Sequence, residues 1–430
     1  MYRTKINDLK KWKSDKARKP LIFIGARQVG KTYLIKDFGQ QAYKQVAYIN
    51  FERPNAPQNL FEVDFDIDRI ITVLNAYCKM KITADDTLLV FDEIQAAPKG
   101  ITALKYFYED APHYHIIAAG SLLGVNIHPD ESFPVGKVDF MKLYPLSFYE
   151  FLLAMGETGI AELVEQRDLE NLTFFSAKLI PLLQYYLFTG GMPEVVANFV
   201  ENRDWQAARK IQNQILTSYR NDFSKHAPKE IVPRINMVWD SIAAQLAKEN
   251  KKFMYGVIKE GARAKDFELA IQWLVDAGLL HKVYNTSKPN IPLIHYQELS
   301  AFKLFLNDVG LLSAMSKLNS QIIAAGDAIF TEFKGALSEQ YVFQQLLQAE
   351  HFDIFYHTFN GSKYELDFLV QTAQNEIIPI EVKAGENLAA HSFKYFCQTH
   401  NPKRAIRTSL ANYKEESWLT NVPLYAINTL

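Results

Sequence analysis

The sequence predicts an α/β chain in four parts: a parallel-sheet domain over residues 1–147, a helical extension over 148–225, a winged-helix segment over 226–325 and a second α/β domain over 326–430. Three observations carry this reading. Between Leu21 and Ser147 short, continuous apolar runs alternate with helical stretches, the pattern of strands buried on both faces of a parallel sheet. Residues 148–225 keep apolar positions at helical spacing, punctuated by Gly190, Gly191 and Pro193. Beyond about residue 330 a helix and short apolar strands return.

The chain has 430 residues, room for about three domains at ~100–200 residues each. Hydrophobic residues make up 48% and charged residues 22%, so each part can bury a core. A net charge of −1 excludes a chain-wide electrostatic grip on nucleic acid; any such contact has to come from a local patch. Two cysteines, Cys78 and Cys397, cannot build a disulfide framework, which suits a reducing compartment. The first twenty residues are basic but have no apolar stretch of signal-peptide type, and no run approaches the ~20 apolar residues of a membrane helix. A cytoplasmic protein without a membrane partner is expected.

In chain order, residues 1–19 set Ile6, Leu9 and Trp12 against lysines, a short amphipathic helix ending before Pro20. Strands are expected at Leu21–Ile24, Val46–Phe51, Leu88–Phe91 and His115–Ala118. Helices at Val238–Leu246 and Phe267–Val275 precede the stretch AGLLHKVYNTSKPNIPLIHY, which ends at Tyr296 and reads as a strand, a turn at Ser287–Asn290 and a strand, the order of a winged helix-turn-helix. A helix at Phe333–Leu347 leads to strands at Ile354–His357, Leu366–Val370 and Ile377–Val382, then a helix around Phe393 and a late strand.

Leu21–Ile24 runs directly into Gly25-Ala26-Arg27-Gln28-Val29-Gly30-Lys31-Thr32, which is G-x-x-x-x-G-K-[ST] between a strand and a helix. Glycines let the backbone curl so that its N–H groups form an anion nest at a helix N-terminus. Lys31 would bridge β- and γ-phosphate oxygens and the Thr32 hydroxyl would ligate Mg²⁺. This predicts a P-loop NTPase sheet that takes ATP. Thr87–Phe91 then places Asp92 and Glu93 at a strand's carboxyl end, where ligands lie in open α/β sheets. Asp92 would hold Mg²⁺ through its waters, and Glu93 would polarise the attacking water. Because Val46–Phe51 lies between the two motifs in sequence, an extra strand is expected between the loop strand and the magnesium strand.

Ser121, after Ala119-Gly120, either senses the γ-phosphate or caps the next helix. Gln95 is open in the same way. Lys137 and Arg220 are each either a cationic finger or a solvated surface charge.

The stretches GARQVGKT, LLVFDEIQ, AAGSLLG, SFPVGKV, LYPLSFYEF and TGGMPEVV, with SIAAQLAKENKKF, LVDAGLLHKVY, LFLNDVGLLSAM and FKGALSEQ further on, resemble AAA-type ATPases of bacteria and archaea that carry a C-terminal domain of unknown function. The resemblance spans nearly the whole chain. It implies ATP binding, a winged-helix segment and a terminal nuclease-like fold, and in many such ATPases a neighbouring subunit completes the site, so self-association is an expectation.

Asp367, then Glu381-Val382-Lys383, resembles the catalytic hairpin of PD-(D/E)xK nucleases. Residues two apart on a strand share a face, so Glu381 and Lys383 point the same way and Asp367 on a paired strand can meet them. Two carboxylates can hold Mg²⁺ and the lysine can orient water. Glu339, followed by Gln340 and Tyr341, resembles the outer helical acid of that superfamily. The other reading is a retired nuclease core with Asp367 and Lys383 as a structural ion pair. Pro379 has to sit at a strand start or at an unpaired position. Lys259, Arg263 and Lys265 could meet DNA or RNA phosphates, or lie on a solvated face.

Two functions follow: an ATP-driven switch controlling a nuclease-like effector on or near nucleic acid, or an ATPase-gated binding protein whose nuclease-like domain is catalytically silent. A nucleic-acid motor is disfavoured by the charge balance, and a small-molecule kinase by Glu93 and the appended domains.

Overall fold

The computed structural model describes the chain except residues 121–133, 135, 249–251, 319–330, 360, 362–363 and 386–390, and of residues 331–333 it describes the backbone only. The chain forms two compact units, one of Arg3–Tyr144 with Asp276–Gly278 and one of Met1–Tyr2, Pro145–Val275 and Leu279–Leu430. Among the described residues no helix is long and apolar enough to cross a membrane.

The first unit begins with α1 (Ile6–Ser14), whose Ile6, Leu9 and Trp12 are buried as their spacing requires. It continues through β1 (Leu21–Ile24), α2 (Lys31–Ala42), β2 (Gln45–Asn50), α3 (Ile67–Cys78), β3 (Thr87–Asp92), α4 (Gly100–Asp110), β4 (His115–Ala119) and β5 (Asp139–Lys142). The five strands are parallel in the order β2-β3-β4-β1-β5. β1 and β3 are buried along their whole length, which explains why they read as unbroken apolar runs. The strand between the loop strand and the magnesium strand is β4. The expected intruder, β2, lies outside β3 at the sheet edge. Chain order did not determine spatial order because each helical crossover is free to skip a neighbour. One face of the sheet closes over a cluster of Phe51, Phe61, Phe91 and Phe107 at centroid distances of 5.7–6.0 Å.

The second unit opens with helices α5 (Phe148–Ala154), α6 (Thr158–Glu165), α7 (Leu169–Thr173), α8 (Ser176–Thr189), α9 (Pro193–Asn202) and α10 (Trp205–His226). Then follow α11 (Val232–Leu246), α12 (Tyr255–Ile258), α13 (Ala264–Asp276), whose last residue clusters with the first unit, β6 (Leu280–Thr286), β7 (Gln297–Leu306) and α14 (Val309–Met315). The chain ends with α15 (Thr331–Ala349), β8 (Phe352–Phe359), β9 (Tyr364–Thr372), β10 (Ile377–Val382), α16 (His391–His400), β11 (Ile406–Ser409), β12 (Lys414–Glu415) and β13 (Thr420–Pro423).

Two longer helices and a hairpin follow in chain order, but the second strand is Gln297–Leu306; Leu293–Tyr296, in the stretch where the sequence reading placed it, is a 3-10 turn following Pro292. The hairpin, however, is not a free wing. β6 pairs in parallel with β8 through Tyr284↔Phe355 and Asn285↔Tyr356, so both strands join an eight-stranded sheet, β12-β13-β11-β10-β9-β8-β6-β7. Residues on either side of 325/326 therefore share one sheet. Pro379 lies inside β10, and pairing with β11 begins one residue later at Ile380, so its missing N–H falls outside that ladder.

Helix α15 is buried although it is rich in glutamine, and each amide has a backbone or hydroxyl partner. Gln340 accepts from Leu306 N (2.9 Å) and donates to Leu306 O (2.6 Å). Gln344 accepts from Val309 N and donates to the Tyr186 hydroxyl, both at 2.9 Å. Gln345 accepts from Phe148 N at 3.0 Å, and Gln348 donates to Pro145 O at 2.9 Å. Asp308 caps α14 by accepting from Leu311 N (3.0 Å) and also accepts from Gly191 N (2.6 Å). Gly190 has φ +68° and lies against that carboxylate, where any Cβ would overlap it. Gly191 lies as closely against Leu146, so both glycines are required by close packing, while Pro193 opens α9.

Gly190→Ala is expected to lower the melting temperature strongly, through strain at a left-handed residue of roughly 1–3 kcal/mol plus the overlap. Burial raises the Asp308 carboxyl from 3.8 to about 6. A carboxyl that is harder to ionise in the folded state favours folding below its unfolded pKa, and that contribution is lost as pH rises through the folded value. The stability gap between wild type and Asp308→Ala, measured by denaturant titration, should therefore narrow between about pH 4 and pH 6. A gap that widens with pH would contradict the assignment.

Candidate nucleotide site

Residues 25–32 connect β1 to α2 by a turn that needs two left-handed residues, Gln28 (φ 67°) and Gly30 (φ 93°). Gly25 lies against Leu143 O, leaving no room for a side chain. Val29 is fully buried, and the guanidinium of Arg3 donates to Val29 O at 2.9 Å and to Tyr144 O at 2.5 Å. Sequence reading missed this brace. Arg3 belongs to a basic stretch that reads as a wet helix face, and nothing local marks it as buried.

Lys31 turns its ammonium back into the loop and donates to Gly25 O (2.8 Å) and Ala26 O (2.9 Å). Burial lowers its pKa to about 8 against the opposing pull of Glu93 and Asp92. The Thr32 hydroxyl donates to Asp92 Oδ2 at 3.2 Å. Asp92 ends β3, and its register partners Asn50 and Ala119 end β2 and β4, so all three strands deliver their last residues to one edge. Tyr48 on β2 donates its hydroxyl to the same Asp92 oxygen, and Lys36 lies 4.0 Å from the Tyr48 ring centroid. Tyr48 was not visible as a site residue, because an edge-strand tyrosine reads as packing.

Glu93 follows with φ 50°, a left-handed kink that takes it off the strand line. Its carboxylate accepts from Gln95 Nε2 at 2.5 Å. Burial raises its pKa, with the Gln95 hydrogen bond opposing and Asp92 and Glu52 assisting. Gln95, left open by the sequence, orients Glu93. Lys137 pairs with Glu109 at 3.1 Å and lies 5.3 Å from the Tyr108 ring centroid, so it is held against α4. Arg220, in the other unit, is paired with Asp240 and Asn236. Ser121 lies outside the described residues.

The second set of sequence candidates also comes together. Asp367 Oδ2 accepts from Val382 N at 2.7 Å. Lys383 pairs with Glu381, two residues back, at 2.7 Å, and the charge of Asp367, its partner in the retired-core reading, acts on it as well. Glu381 is buried and its pKa is raised by desolvation against the pull of Lys383. Glu339 on α15 is buried nearby, and its charge acts on both Glu381 and Lys383. Gln340 and Tyr341 have structural duties, the latter donating to Leu424 O at 3.1 Å.

Against known proteins, an AAA domain family model matches residues 17–152. Two domains of unknown function match further along the chain, DUF8612 over 180–322 and DUF4143 over 334–427. No curated protein matches. Among solved structures, the chain is similar to the Aeropyrum pernix Orc1 protein in complex with DNA at 11% identity and TM-score 0.30, over 74% of this chain and 93% of that one. It is similar to Cdc6p from Pyrobaculum aerophilum at 12% identity and TM-score 0.28, over 75% and 93%. The parallel sheet of the first unit and the match of residues 17–152 to an AAA domain model agree with the P-loop reading of the sequence.

An ammonium near pKa 8 is partly neutral in mildly alkaline solution, while phosphate favours its charged form. ATP binding at pH 8–9 should therefore take up a proton, visible in calorimetry as a dependence of heat on buffer ionisation, and kcat/KM should fall above about pH 8. Binding at pH 8–9 with no proton uptake would contradict this assignment of Lys31.

Proposed function

We propose that the first unit binds and hydrolyses ATP with Mg²⁺ and that its nucleotide state controls the C-terminal nuclease-like domain, acting on or near nucleic acid. The observation that supports it is the approach of Thr32 to Asp92, 3.2 Å across the strand edge. A phosphate nest and a metal carboxylate belong within one magnesium ion's reach of each other, and the residues present fit that ion. Bound Mg²⁺ supplies the Lewis acid; Thr32 and Asp92 would hold it. The main-chain N–H groups of residues 25–32 receive the phosphates. Lys31 exchanges the carbonyls of Gly25 and Ala26 for phosphate oxygens, and Tyr48 gives up its hold on Asp92. Glu93, oriented by Gln95 and made more basic by burial, takes the proton of the attacking water.

For the C-terminal domain one observation favours the second reading, in which it binds and does not cut. Among the described residues no group of three or more histidine, cysteine or acidic side chains is placed to hold a metal ion. Lys259, Arg263 and Lys265 are exposed around the start of α13 and are the patch we assign to phosphate contact. Self-association would supply the cation that Lys137 and Arg220, both paired within the chain, are not free to provide.

Lys31→Ala should abolish ATP binding, and Glu93→Gln should keep it while lowering turnover by about 10²-fold or more. ATP turnover surviving in Lys31→Ala would sink the site assignment. The protein should also be incubated with Mn²⁺ and DNA or RNA, with and without ATP. Cleavage lost in Lys383→Ala would favour the nuclease reading, and no cleavage under any condition the silent one.

A further inference from the structure

Lys303 on β7 has a fully buried side chain. A charge there is tolerated only where opposite charge compensates its lost hydration. Its ammonium is 2.6 Å from Glu365 Oε1 and 3.6 Å from Glu339 Oε2, and it faces the Tyr356 ring at 4.9 Å. Asp367 adds to the attraction, and Lys303 acts in turn on Glu381. Three of these four acids, Glu339, Asp367 and Glu381, are the ones a nuclease-like site would use for a divalent metal. Glu365 and Asp367 are two apart on β9 and so share a face.

The fit of a metal can be tested on the oxygens themselves. Magnesium needs several oxygens at about 2.0–2.1 Å from one point. Here Glu339 is drawn to the Lys303 ammonium, Glu381 Oε1 is claimed by Lys383, and Asp367 Oδ2 is claimed by the Val382 amide. Glu381 Oε2 is buried without a hydrogen-bond partner, an oxygen that a bound cation would satisfy. As arranged, these residues do not fit a divalent ion, because a cation is already built in.

We propose that the Lys303 ammonium replaces the divalent metal in the acidic cluster of the C-terminal sheet, so that the cluster works without metal, and that removing it opens a divalent-cation site made of Glu339, Asp367 and Glu381. This rests on the nuclease-like reading of that sheet, but its test measures metal binding and not cleavage, so inactivity toward DNA or RNA leaves it standing.

Mn²⁺ binding to the full nucleotide-free chain, measured by calorimetry and electron paramagnetic resonance, compares wild type, Lys303→Met and Lys303→Met/Glu381→Gln. The expected result is a site in Lys303→Met at least tenfold tighter than any in wild type, lost again in the double variant. Should Lys303→Met not fold, Lys303→Met/Glu365→Gln, which removes the nearest carboxylate together with the ammonium and keeps all three proposed ligands, is read by the same criterion. Wild-type Mn²⁺ binding of equal strength that disappears in Glu381→Gln overturns the proposal. So does a folded Lys303 variant that binds no more Mn²⁺ than wild type.

Discussion

One carboxylate oxygen organises the candidate nucleotide site. Asp92 Oδ2 receives both the Thr32 hydroxyl from the start of α2 and the Tyr48 hydroxyl from the edge strand, while Oδ1 accepts the Glu93 amide. This convergence depends on strand order. With β4 between β1 and β3, the phosphate loop and the carboxylate stand two strand spacings apart, roughly 10 Å. The first turn of α2 spans that gap. The brace from Arg3 to Val29 O matters for the same reason, since a loop with two left-handed residues has few hydrogen bonds of its own to fix its shape.

What was legible in the sequence follows from this physics. The loop could be read because Gly25, Gly30, Lys31 and Thr32 are each required by local geometry or by the ligand, within eight consecutive positions. β1 and β3 could be read because strands buried on both faces leave unbroken apolar runs. β5 could not: Asp139–Lys142 alternates half-buried and exposed residues and carries a charge at each end, so nothing in it marks a strand until β1 is beside it. Tyr48, Arg3 and Lys303 were missed for a common reason. Their roles depend on partners many residues away in the chain, and taken alone the tyrosine reads as packing and the arginine and lysine as surface. The Lys303 error is the most instructive. Its stretch, Phe302–Leu306, is otherwise apolar and predicts a buried strand, and a lysine in a buried strand has to find acids.

The second unit carries a set of glutamines into its interior. α15 spends Gln340, Gln344, Gln345 and Gln348 on backbone groups and a hydroxyl from β7, α14, α8 and the segment leading into α5. Hydrogen bonds of this kind add little net stability each, about 1 kcal/mol, but an unmatched buried amide costs more than that. They therefore select one arrangement of helices over near alternatives, which an apolar stripe would not do.

The contact of Gly190 and Gly191 with Asp308 bears on where the chain can be divided. These residues lie far apart in sequence yet leave no space for a Cβ between them. A fragment ending before residue 307 would strand the Gly191 amide and lose the receptor for its helix pair, and one beginning near 326 would deprive Gln340 and Gln344 of their partners. Dissection by limited proteolysis or truncation should respect the junction at Tyr144–Pro145. Cuts at the apparent seams inside the second half would yield pieces whose insolubility reflects severed packing and says nothing about the biology of either piece.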